Sequence, residues 1–138
     1  MAQYLSYSND AVLARADVKT ATAAATLTPA NSGTTYILDA AAGAEIALPS
    51  DLESGVQFRF IVGSAFATTD WTIISSTNII QGNVLVAGAH VAGSDENTIS
   101  FVASAESVGD YVDVVCDGTN YYVSGSGVTS GSITLTAA

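Results

Sequence analysis

The chain has 138 residues, 49% of them hydrophobic and 12% charged, and its 13 acids against three bases give a formal charge of −10. That length allows one domain with a sizeable core, while the acidity disfavours nucleic-acid phosphates and anionic membranes as partners. A single cysteine, Cys116, excludes an intramolecular disulfide framework, and no apolar run approaches the ~20 residues of a membrane-spanning helix.

Residues 1–24 read as an N-terminal arm. Tyr4, Leu5 and Tyr7 follow no clean period. Ser8, Asn9 or Asp10 offers an opening for a short helix over about 10–19, lined by Val12, Leu13 and Ala16. Large apolar residues in a segment too short to bury them predict docking on another surface. Charge is split at the same place. Arg15 and Lys19 lie in this arm, offset by Asp10 and Asp17, whereas from residue 20 onward Arg59 alone faces eleven acids. The opening MAQYLSYSND has no basic region leading into an apolar one, so a soluble product of the cytosol is expected.

From residue 25 to 138 the punctuation is that of an all-β domain. Candidate strands fall at 26–28, 35–38, 45–48, 56–62, 71–75, 79–86, 98–102, 111–116, 121–124 and 132–136. Turn clusters such as PANSG, PSDLESG, AGAHVAGSDEN and DGTN separate them. Short strands at such spacing predict an antiparallel sandwich, jelly-roll-like, or a barrel. In VQFRFIV, Val56, Phe58, Phe60 and Val62 share one face and Gln57, Arg59 and Ile61 the other. The stretch GDYVDVVCDGTNYYVSG is a hairpin with Val112, Val114 and Cys116 facing inward and Gly118 in the turn. Asp110, Asp113 and Asp117 read as solvated charges on it. A Gly/Ser-rich tail from about 124 ends in a β-prone segment around Ile133 and Leu135.

Catalytic chemistry finds little to stand on. His90 is the lone histidine, placed in the small-residue cluster AGAHVAGSDEN, and no G-x-S-x-G elbow accompanies it. Cys116 among valines reads as a small buried hydrophobe. Zinc would want more Cys and His than the chain has. Calcium is the metal that the composition allows, with GSDEN at 93–97 and the Asp110, Asp113, Asp117 set as candidates, though neither matches an EF-hand loop. Trp71, opening WTII, reads as a core residue rather than a sugar platform. The expectation is no enzyme, no catalytic residue, no resident metal and no cofactor.

Four segments in order carry a resemblance: TLTPANSGTTYIL, AEIALPSDLESGVQFRFIVGSA, WTIISSTNIIQGNVLV and TISFVASAESVGDYVDVVCDGTNYYVSG. Their succession of I-x-L-P, G-x-x-F-x-F-x-V, W-T-I and G-D-x-V-x-V-x-x-D-G-T-x-Y-Y-V-S-G resembles a β-module of tailed-phage virion proteins. It is similar to the capsid decoration (cement) proteins and to modules of head and tail fibres. The resemblance implies a virion structural protein on the outer capsid surface, a homotrimer partnered by the major capsid protein, with no catalytic residues. On that reading Tyr4, Leu5, Tyr7, Val12, Leu13, Arg15 and Lys19 form the capsid or subunit contact of the arm. A fibre module binding a host-surface glycan is the alternative within the same class. A small carbohydrate-binding or hydrolytic β-domain is the alternative outside it.

Overall fold

The computed structural model describes residues 15–138. Twelve strands follow one another: β1 Asp17–Ala21, β2 Ala25–Thr26, β3 Thr34–Leu38, β4 Glu45–Ala47, β5 Gln57–Val62 and β6 Trp71–Ile74. They continue as β7 Ile80–Val86, β8 Ala89–Glu96, β9 Thr98–Phe101, β10 Tyr111–Cys116, β11 Tyr121–Gly127 and β12 Ile133–Thr136. One sheet of seven strands has the order β1-β3-β5-β10-β11-β7-β8, and a second of five has β12-β9-β6-β4-β2. The expected sandwich is present, but its sheets are mixed rather than antiparallel.

The reason lies in how the first six strands are laid down. They alternate between the sheets, so that β1, β3 and β5 stack in parallel in one and β2, β4 and β6 in the other. A parallel neighbour needs a crossover, and here each crossover is a strand of the opposite sheet instead of a helix. Antiparallel strands then take over: β10 pairs with β5 and β11, and β9 pairs with β6 and β12.

Alternation within each strand supplies the core between the sheets. Phe58, Phe60 and Val62 of β5 are buried, and so are Val112, Val114 and Cys116 of β10. Opposite them lie Ile46, Trp71, Ile73, Ile99, Phe101 and Ile133, all fully buried. Tyr36 stacks on Phe60 with ring centroids 5.7 Å apart. Trp71, in register with Phe101, is a core residue as its position in WTII suggested. Burial of such aromatic side chains dominates the energy of a core this rich in small residues.

Two segments differ from expectation. The helix placed over about 10–19 falls partly outside the described residues, and the described part, from Asp17, runs as strand β1 in parallel with β3. Val18, Thr20 and the β-branched residues of TTYIL favour extension, and the sheet edge offers the backbone its bonds. That strand also moves part of the arm into the domain. AGAHVAGSDEN, expected as a loop, is a tight turn followed by β8. Ala87 and Gly88 both have positive φ, 51° and 81°, as a two-residue I′ hairpin requires. Ala-Gly is a weak sequence signal for that turn, and the small residues of β8 hide its alternation. Near its end Asp95, at φ 59°, forms a bulge against β7. Gly82 sits opposite the irregularity at φ 121°, and a Cβ there would collide with the Val123 carbonyl.

Tyr121 shows how side chains close the sandwich. Its ring is fully buried and its hydroxyl donates to the Pro49 carbonyl at 2.6 Å. Burial pushes the phenol up to about 12 from its ordinary 10.0. A raised folded value means that the neutral form is held, so this contribution is complete below pH 10 and is lost as pH rises through 12. Tyr121→Phe is expected to lower stability at neutral pH by about 1–3 kcal/mol, through the unpartnered carbonyl, and to flatten the alkaline loss. Urea titrations at neutral and alkaline pH measure both effects.

Candidate functional site

The outward side of the seven-stranded sheet gathers most of the unusual chemistry. In register across it run Thr35 of β3, Arg59 of β5, Asp113 of β10 and Ser124 of β11. The next row holds Gln57, Val115, Tyr122 and Gln81, and the row on the other side holds Ile37, Ile61, Tyr111, Ser126 and Leu85. A shallow groove of about 430 Å³ runs over the first two rows, from Gly33 and Thr35 to Tyr122 and Ser124.

Arg59 and Asp113 form a two-pronged ion pair in this groove. Nε donates to Oδ1 at 2.6 Å and Nη2 to Oδ2 at 2.9 Å. The guanidinium also lies over the Tyr111 ring, 5.0 Å from its centroid. The hydrogen bond that Arg59 donates to Asp113, and then the carboxylate's charge, raise the Arg59 pKa further. Both partners are well exposed, so the pair orders the surface more than it stabilises the fold. Chemically it presents a fixed, neutral, planar patch flanked by an aromatic ring. It holds no free base or nucleophile.

The other carboxylates singled out from the sequence are dispersed, and the reading of Asp110 and Asp113 as solvated charges is corrected. Asp113 has Arg59. Asp110 is buried, at 3% exposure, its Oδ2 accepting from the Ser107 N–H at 2.9 Å and its Oδ1 from the Val128 N–H at 3.2 Å. It ties the β9–β10 loop to the β11–β12 loop. Asp117 is exposed and closes the hairpin turn, accepting from the N–H groups of Thr119 and Asn120 at 2.8 Å each. Those bonds, Asn120 first, hold its pKa below the usual carboxylate range. In GSDEN, Asp95 accepts from Gln81 Nε2 at 2.7 Å and returns its own N–H to Gln81 Oε1. Among the described residues no three of His, Cys, Asp and Glu come together as a metal-binding group.

His90 stands on β8, not in a loop, with Nδ1 3.1 Å from Asn83 Oδ1. Cys116 is buried, and its Sγ accepts from the Gly118 N–H at 3.3 Å. Of the arm residues, Tyr4, Leu5, Tyr7, Val12 and Leu13 lie outside the described residues. Arg15 is exposed just before β1, and Lys19 on that strand approaches Asp17 at 3.4 Å. Edge position and exposure leave that ion pair weak.

Comparison with family models, curated proteins and solved structures finds no match. The geometry therefore carries the functional reading.

Alternation in VQFRFIV places Gln57, Arg59 and Ile61 on one face, but it does not reveal the partner of Arg59. Only the β5–β10 pairing brings Asp113 across from a residue 54 positions away. Asp110 was missed for a related reason: nothing local shows that its two backbone donors lie inside. Replacing it by alanine is expected to cost about 1–3 kcal/mol, because two N–H groups lose their acceptor. Chemical denaturation of Asp110→Ala beside Asp117→Ala measures this, with the smaller loss at exposed Asp117.

Proposed function

We propose that the chain is a capsid decoration (cement) protein: a virion structural protein that binds the outer capsid surface of a tailed phage as a homotrimer and stabilises contacts between capsomers. The observation that carries this reading is the way the N-terminal segment joins the body. It leads into β1, an edge strand whose Asp17, Val18, Lys19 and Thr20 are all exposed. Arg15 and Lys19, two of the three bases of the chain, sit together at this junction. The apolar residues Tyr4, Leu5, Tyr7, Val12 and Leu13 precede it. An apolar, net-neutral segment on a strongly acidic sandwich suits a module anchored through its arm to a larger protein surface.

The rest of the molecule is compatible with that role. The acidic body would sit away from the packaged genome, since like charge opposes contact with phosphate. Edge strands provide backbone bonds for pairing with another chain. The ordered motifs from Thr26 to Gly125 support the same assignment by resemblance.

A second reading is a head- or tail-fibre module that binds a host-surface glycan. Tyr122 beside Gln57, Asp113 and Ser124 in the groove favours it, because an aromatic face with polar neighbours can hold a sugar ring. Tailless capsids separate the two, since only a decoration protein stays on them.

Deleting residues 1–14 leaves β1 and the sheets complete. The truncated protein is expected to keep the melting temperature of full length within a few degrees and to lose capsid binding by at least about tenfold, roughly the 1.4 kcal/mol that one anchoring contact supplies. Cosedimentation with expanded capsids measures it. Undiminished binding of the truncated form would overturn the arm as the anchor.

A further inference from the structure

Each sheet of the sandwich ends in two edge strands, and β2, β8 and β12 are ill suited to pairing. β2 is short, only Ala25 and Thr26. β8 carries Asp95 and Glu96 and is bulged against β7, and both features blunt an edge. β12 packs against β8, where Leu135 fills the space beside Gly93. β1 differs. It runs in regular register beside β3 over Asp17–Ala21, and Asp17, Val18, Lys19 and Thr20 are all exposed.

The backbone of β1 is set for another strand. The Ala21 carbonyl accepts from the Asp39 N–H at 2.9 Å. Peptide groups alternate in direction along a strand, so those of Asp17, Lys19 and Ala21 point to β3, while those of Val18 and Thr20 point out from the edge. Among the described residues β1 pairs with β3 alone.

Charge then selects both the partner and the register. Two copies of β1 can run antiparallel about a two-fold axis that passes between one residue and its own copy. An axis at Asp17 sets Asp17 against itself and Lys19 against Arg15, and an axis at Lys19 sets Lys19 against itself. Like charges directly opposite each other are unfavourable. An axis at Thr20 sets Asp17 against Ala23 and Lys19 against Ala21, which matches no charge. An axis at Val18 sets Asp17 of each copy against Lys19 of the other, and Thr20 against Ala16. It also brings the outward peptide groups face to face, for roughly six backbone hydrogen bonds. Two of the three bases of the chain, Arg15 and Lys19, lie on or beside β1, so two acidic bodies meet here against less repulsion. The approach of Lys19 to its own Asp17, 3.4 Å and exposed, is weak enough to be exchanged for a second copy.

We infer that β1 is a self-pairing edge: two copies of this chain join antiparallel through β1, about a two-fold axis at Val18, and their large sheets run on as one. This contact goes beyond the proposed function and does not rest on it. Between trimers on a capsid it would tie one trimer to the next.

Cysteine substitution in the full-length chain reads the register. Val18→Cys sets two cysteines across the axis with Cα atoms about 5.5 Å apart, within disulfide reach, whereas Thr20→Cys sets them roughly 14 Å apart, beyond it. Cys116 is buried and does not compete. After mild oxidation, non-reducing gels are expected to show at least about tenfold more covalent dimer for Val18→Cys than for Thr20→Cys. Sedimentation velocity reads the charge pairs. Lys19→Asp is expected to weaken association about tenfold, and adding Asp17→Lys to restore it, because the swap rebuilds the same pairs in reverse. Circular dichroism melts show that each variant is folded. Equal cross-linking of the two cysteine variants, or none from either, overturns the inference, as does a charge swap that restores nothing. Capsid cosedimentation is scored separately. Val18→Cys dimers that do not bind capsids keep the contact and remove the decoration reading, while capsid-bound protein without the cross-link does the reverse.

Discussion

Everything in this fold depends on burying the apolar faces of the two sheets against each other. Phe60, Trp71, Phe101 and Tyr121 are large, fully buried and contributed by both layers. The many alanines of the chain cannot replace them, because little area leaves water when an alanine is buried. This constraint explains the path of the first six strands. A strand with one apolar face needs a partner layer at once, and alternating between layers gives each new strand both a neighbour in its own sheet and a covering strand opposite. Parallel pairing follows from that path and needs no helix.

Polar groups are arranged around this core with a division of labour that charge counts conceal. Asp70, Asp110 and Asp117 accept backbone N–H bonds and hold loops or turns. Asp95 is locked to Gln81 at a bulge, and Asp113 is matched to Arg59. Many carboxylates therefore act as internal acceptors, while their charge still gives the body a strongly negative field.

How much of this was legible beforehand varies with range. Period-two alternation in VQFRFIV and YVDVVC correctly gave the inward set, Phe58, Phe60, Val112, Val114 and Cys116. The DGTN turn was legible because Asp and Gly have local reasons to be there. Strand β8 was not, since its small residues carry no alternation and its turn uses Ala87 where Asn is usual. The strand at Asp17–Ala21 was hidden because isolated local preference did not separate it from a short helix. Parallel neighbours were illegible too, as no local signal records which strand a chain returns to.

By itself the sequence determined an all-β domain, sandwich or barrel, with a strongly acidic composition, and it determined which side of β5 and β10 faces inward. These are properties of composition and of nearest-neighbour periodicity, and they hold whatever the strand order. Only the tertiary structure decided that Arg59 meets Asp113, that Asp110 joins two loops, and that Val115, Tyr122 and Leu85 share one surface. Each depends on strand register between segments far apart in the chain, which is set by the packing of the whole core.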